Sequence, residues 1–270
     1  MKIRSRITRK AKAAQSSADP IQATAKKSPA PERRDVPLSA SEVSVIDNLQ
    51  AGSAGMPKEY IVEVEGILQR NRALLTEVTE VSPQHLHLGQ LALLGAVYRT
   101  HELLLGGLEQ VARGHKHVWA GCLRGLVETF GALAFATDAP DRLTSLVTGP
   151  GIGVGKLREA AKRRMRDLRE DVDWLDSIVH PGTTSFFLGV RIIDEAERRT
   201  LFGIPPAPLS HEEVARAVDA LIGVCQLIQK EIGKFLTDHR SALTVGEPAG
   251  HVVLRGGEIA AAPDEPNSSN

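Results

Sequence analysis

Cysteine, aromatic residues and net charge are all scarce in this chain, and each shortage removes a class of explanation. Only two cysteines occur in 270 residues, Cys122 and Cys225, too few for a disulfide framework or a cysteine-built zinc site. Both fall within apolar helical patterns and no secretory pattern precedes them, which predicts reduced core thiols in a cytoplasmic protein. Lys and Arg number 33 and Asp and Glu 33, so the whole chain makes no case for a polyanion partner. The apolar runs fall short of the roughly 20 residues a membrane span needs.

Familiar catalytic motifs are also missing. There is no HExxH for zinc and no GxSxG elbow for a nucleophilic serine. The histidine pairs His85 with His87 and His115 with His117, spaced by two, would point apart on a helix. No metal or cofactor is expected. The loop Gly149-Pro-Gly-Ile-Gly-Val-Gly-Lys156 fails as a phosphate cradle, because Pro150 stands where a P-loop has its first glycine and Leu157 follows Lys156 where Ser or Thr is required. It is expected to be a connector.

What the chain does have is helical periodicity between two polar ends. Residues 1–55 are rich in Ala, Ser, Pro, Lys and Arg, with ten basic residues against three acids up to Asp35 and no interleaved aromatics. They are expected to form a disordered basic tail, and residues 241–270 a second disordered tail. Residues 56–240 are expected to form an all-α bundle of about five long helices, with a small β-hairpin inserted before the last.

In the first of these helices, Pro57 suits the opening turn and Ile61, Val64, Leu68, Leu75 and Val78 recur at helical spacing. The second aligns His87, Leu91, Leu94, Tyr98, His101, Leu105 and Leu108 on one stripe, predicted to face the core. The third, His117 to Asp138, is apolar nearly all round, which fits the centre of a bundle. Arg124 and Glu128 interrupt it, and either would be costly in lipid; no membrane association is expected. Gly121 and Gly125 beside them would admit a close neighbour.

A fourth helix is predicted from Leu157 to Val179. Its outer face changes from Lys162, Arg163, Arg164, Arg166 and Arg169 to Glu170, Asp171, Asp173 and Asp176, so the basic half could meet RNA phosphates or pair with the acids one turn on. Pro181 should end the helix at His180, where the helix dipole and Asp176 favour the imidazolium. Asp173, Ser177 and His180 share one face. The alternating stretch Thr184 to Ile193, with Arg198 to Ile204 returning, fits a hairpin, and a short helix from Ile192 to Leu201 is the other reading. Ser210-His-Glu-Glu213 is a capping box for the last helix, which buries Val214, Val218, Leu221, Cys225, Ile228, Ile232 and Phe235.

The combination of Arg124-Gly-Leu-Val-Glu128 with Ser177-Ile-Val-His180-Pro181 resembles a group of bacterial helical proteins related to the HEPN-like superfamily. The resemblance spans roughly residues 57 to 236. It implies a single polar cluster of Arg124, Glu128, Ser177 and His180 within the bundle. HEPN ribonucleases carry an Arg followed after four to six residues by His; here only Lys234 with His239 comes near. Two functions are therefore carried forward. One is a binding or regulatory module, stress or defence related, with a pocket drawing on Ser177, Asp173, Asp176, Tyr98 and His101 and a homodimer as one arrangement. The other is a metal-independent ribonuclease with His180 as acid/base, Arg124 on a phosphate, Glu128 in support and the basic half-helix on RNA.

Overall fold

A computed structural model describes residues 37–52, 58–149, 152–165, 190–194, 199–202, 209–246, 248–255 and 258–261, all within the unit Val36–Asn270. The architecture is an all-α bundle. In chain order the described helices are α1 (Ala40–Gly52), α2 (Lys58–Thr79), α3 (Leu88–Ala112), α4 (Lys116–Asp138), the single turn α5 (Ser145–Thr148), α6 (Val154–Arg164) and α7 (His211–Thr237). Short strands fill in around them: β1 (His85–His87), β2 (Val190–Asp194), β3 (Arg199–Phe202), β4 (Pro248–Arg255) and β5 (Glu258–Ala261). The strand β2 pairs antiparallel with β3 just before α7, while β4 lies between β1 and β5 with antiparallel partners on both sides.

The central element is α4, which packs against α3, α6 and α7. Trp119, Leu123, Leu126, Val127, Phe130 and Leu133 are buried on it, as its nearly uniform apolar sequence requires. Among the described residues it alone is long and apolar enough to cross a membrane, yet 61% of that window is buried inside the bundle. Glycine sets the packing distance on its far side, since a Cβ at Gly131 would stand 2.3 Å from the Leu157 carbonyl oxygen at the start of α6. Any larger residue there would have to push α6 away.

The seven positions named for the last helix are all buried in α7. The Ser210–Glu213 box caps it, with Ser210 N–H donating to Glu213 at 2.8 Å and Glu213 N–H donating to the Ser210 hydroxyl at 3.3 Å. The two thiols are free, Cys225 fully buried and Cys122 half-buried.

Four sequence expectations are corrected. First, of the stripe expected on α3, Leu94 and Leu108 are buried and Leu91 and Leu105 pack against the core, but Tyr98 is 59% exposed and His87 belongs to β1; Leu93, Val97, Thr100, Leu104 and Val111 are buried beside them, about 100° round the helix. Second, the helix expected from Leu157 begins at Val154 and closes at Arg164, with Met165 at φ −101°, ψ 42°; the rest of its expected length, 166–179, lies outside the described residues. Lys162, Arg163 and Arg164 occupy that last turn, where cations meet the negative end of the dipole. Third, the N-terminal polar region does not extend to residue 55, because α1 buries Val45, Ile46 and Leu49. Fourth, ordered structure continues past residue 240: a 3-10 turn over Arg240–Thr244 buries Ala242 and Leu243, and its backbone fits against Gly89, where a Cβ would meet the Ala242 carbonyl at 2.4 Å. The strand β4 follows and pairs with β1.

Candidate functional site

The outward stripe of α4 contains His117, Gly121, Arg124 and Glu128, at steps of four, three and four. Arg124 Nε donates to Glu128 Oε1 at 3.0 Å, with the side chains 29% and 24% exposed. An i,i+4 pair in this setting contributes about 0.3–0.5 kcal/mol, so it does little to hold the bundle together. It leaves two charged groups accessible on a mostly buried helix. A Cβ at Gly121 would touch no described residue within 4 Å, whereas at Gly125 it would meet Leu103 at 2.8 Å and Arg99 at 3.7 Å. The small-residue strip is thus split: Gly125 admits α3, and Gly121 is the floor of an open window.

Arg99 approaches α4 from α3, beside Gly125. Its Nε donates to Thr129 Oγ1 at 3.1 Å, and Thr129 in turn donates to the Gly125 carbonyl at 2.8 Å. Arg124 and Arg99 lie on two helices that pack together, and a guanidinium can hold a carboxylate or phosphate. Tyr98 is adjacent to Arg99 in sequence and exposed, and the hydrogen bond from its hydroxyl to Glu102, with the charge of that carboxylate, pushes the phenol upward.

His101 is 200° round α3 from Arg99 by helical geometry and faces away from this window, towards α1. There Glu42 is wholly buried. Its Oε2 accepts from Ser39 N–H at 2.5 Å and from the Ser39 hydroxyl at 2.6 Å, and Arg72 donates both to it and to the Pro37 carbonyl. His101 Nε2 is 3.4 Å from Oε1. That is an ion-pair distance without hydrogen-bond geometry, so Oε1 accepts no hydrogen bond in the structure. Burial pushes the Glu42 carboxyl up, but Ser39, Arg72 and His101 together outweigh it and leave it below the usual value. Burial likewise lowers His101, the pull of Glu42 and Glu102 being insufficient to restore it against Arg72.

A second buried carboxylate, Glu231 on α7, is fully engaged. Arg164 NH1 bonds Oε2 at 2.7 Å and Lys234 bonds Oε1 at 2.6 Å, while Arg164 also pairs with Asp138. Burial raises the carboxyl, and Lys234, Thr137 and Arg164 bring it below its ordinary value. The arginine therefore braces α6 against α4 and α7 instead of presenting a charge to RNA. Lys162 also has interactions of its own, and Arg163 is the exposed member of the run.

Of the two α3 residues that the sequence grouped, His101 stands at the Glu42 cluster, and Tyr98, one turn before it, is exposed and bonds Glu102. Asp173, Asp176, Ser177 and His180 lie outside the described residues, as do Arg166 and Arg169. Arg99 and Glu42 went unnoticed in the sequence. Arg99 carries no local signal, whereas Ser39-Ala-Ser-Glu42 has the Ser-x-x-Glu spacing of a capping box. No group of three or more His, Cys, Asp or Glu able to hold a metal occurs among the described residues. No protein-family model, curated protein or solved structure matches the chain.

Proposed function

We propose that this chain is a helical binding or regulatory module, HEPN-like in character, that takes an anionic group at the window bordered by Arg99, Arg124 and Glu128. One observation carries this reading: the central helix, buried on most of its circumference, keeps an accessible Arg–Glu pair beside a glycine with open space above it. A core helix has no stabilising use for such a pair, whose worth is only about 0.5 kcal/mol. An arriving carboxylate or phosphate would draw Arg124 from Glu128 and share it with Arg99 in bidentate fashion. In the same reading Ser177 and His180 complete the site, and stress or defence signalling is the setting.

The test is thermal unfolding of the full chain in sodium phosphate and in sodium chloride at matched ionic strength. Phosphate should raise the melting temperature of the wild type and leave Arg124→Ala and Arg99→Ala unmoved; an equal response in all three proteins overturns the reading. The ribonuclease alternative is separated by incubating wild type and His180→Ala with labelled total RNA in EDTA. Cleavage by wild type alone would replace the module with a nuclease, and absence of cleavage in both leaves the module standing.

A further inference from the structure

Away from the window and independently of it, we propose that His85 and His251 form a two-histidine chelate for a divalent transition-metal ion on the outer face of the β1–β4 ladder. A spacing of two turns histidines apart on a helix, but His85–His87 is the strand β1, in which only the middle residue, Leu86, is buried. The face carrying His85 is therefore the outer one. On the neighbouring strand β4, His251 is the register partner of His85, and Gly250 that of Leu86. Directly opposite residues of an antiparallel pair share a face, with Cβ atoms about 4.5–5.5 Å apart. Backbone register, and no side-chain contact, is what places His251 beside His85.

That separation suits a metal. Zinc takes imidazole nitrogens at about 2.0–2.1 Å in tetrahedral arrangement, so two of them stand roughly 3.3 Å apart, within reach of side chains on opposed strand positions. Imidazole ligands select zinc, copper or nickel over calcium or magnesium, which take oxygen. His87 stays outside the chelate, because the register shifts between Leu86 and His87 and His87 Nδ1 lies 3.2 Å from the Gly246 carbonyl oxygen. Water completes the coordination. The ion would join segments far apart in sequence, since β1 leads into α3 whereas β4 follows α7 and its 3-10 turn; closing so long a loop restrains the unfolded chain strongly. The strand β1 has only three residues, and a ribbon this small is marginal by itself. A metal across it would fasten β4, and β5 with it, to the bundle.

Calorimetric titration of the full chain with zinc chloride tests this, at about pH 7.5, where imidazole ligands are neutral. One ion per chain should bind. His85→Ala and His251→Ala should each weaken binding by about tenfold or more, since even a residue that only orients a ligand commonly contributes that much. His211→Ala, which removes an exposed histidine at the start of α7, should bind as the wild type does. Hydrogen exchange gives a second readout: zinc should slow the amides of β4 in the wild type and leave those of His85→Ala unmoved. No saturable zinc binding by the wild type, or binding that leaves β4 exchange unchanged, overturns the proposal without any variant. Unweakened binding by His85→Ala or His251→Ala overturns it too, as does an equal loss in His211→Ala.

Discussion

Glu42 and Glu231 are both buried carboxylates near arginine, yet their surroundings differ in one respect. Each oxygen of Glu231 meets a side chain that stays cationic at any ordinary pH, Arg164 at 2.7 Å and Lys234 at 2.6 Å. Glu42 gathers Arg72 and two Ser39 donors on Oε2 alone and leaves Oε1 to a histidine 3.4 Å away. The first arrangement is complete and fixes three long elements together, since α6, α4 and α7 all meet at Arg164. The second has one unfilled acceptor and a titratable neighbour, and it ties down a single short helix. Burial by itself thus does not tell how firmly a carboxylate is held; what differs is whether each of its oxygens has a hydrogen-bond partner.

The largest effect should come from removing the brace. Glu231→Ala leaves Arg164 and Lys234 without their shared carboxylate and should cost about 3 kcal/mol in urea unfolding, near the lower end for a broken buried pair because both cations retain some solvent. Gly131→Ala attacks the same junction sterically, pushing on the Leu157 carbonyl. It should cost about 2 kcal/mol, with the near-ultraviolet dichroism of the protein as a second readout.

On the other side of the comparison, Glu42→Gln should cost about 1–2 kcal/mol at neutral pH. The gap from wild type should close as pH falls through the carboxylate range, because the stability of a depressed carboxyl is present above its unfolded value of 4.5 and lost below it. His101→Gln should cost under about 1 kcal/mol at pH 7 and flatten the stability profile below 6.5. The smallest change is expected for Arg124→Ala, about 0.5 kcal/mol or less in stability, with its loss appearing in the phosphate response instead.

How much of this was legible depends on how local each cause is. In α7 the apolar positions form one stripe with polar residues elsewhere, and a Ser–Glu box marks its start, so sequence located both the helix and its buried face. Leucine and other apolar residues surround α3 almost completely, and several stripes fit equally well. Packing chose Leu93, Val97 and Leu104 over the set containing Tyr98 and His101. Three apolar residues in α1 are too few to stand out from a polar stretch, although its Ser39–Glu42 box was there to be seen. The Arg240–Thr244 turn carries no periodicity, and its burial follows from Gly89 letting its backbone approach α3.

By itself, then, the sequence determined that the chain would be helical, that Lys116–Asp138 would be its centre, and that Arg124 and Glu128 would interrupt that centre, because these follow from periodicity and from the cost of burying charge. Only the tertiary structure decided that this pair would stand open to solvent beside Gly121 with Arg99 across from it, and that His101 would turn away to meet Glu42. Those outcomes depend on which face of α3 packs inward, a choice made by the neighbouring helices together and carried by no single segment.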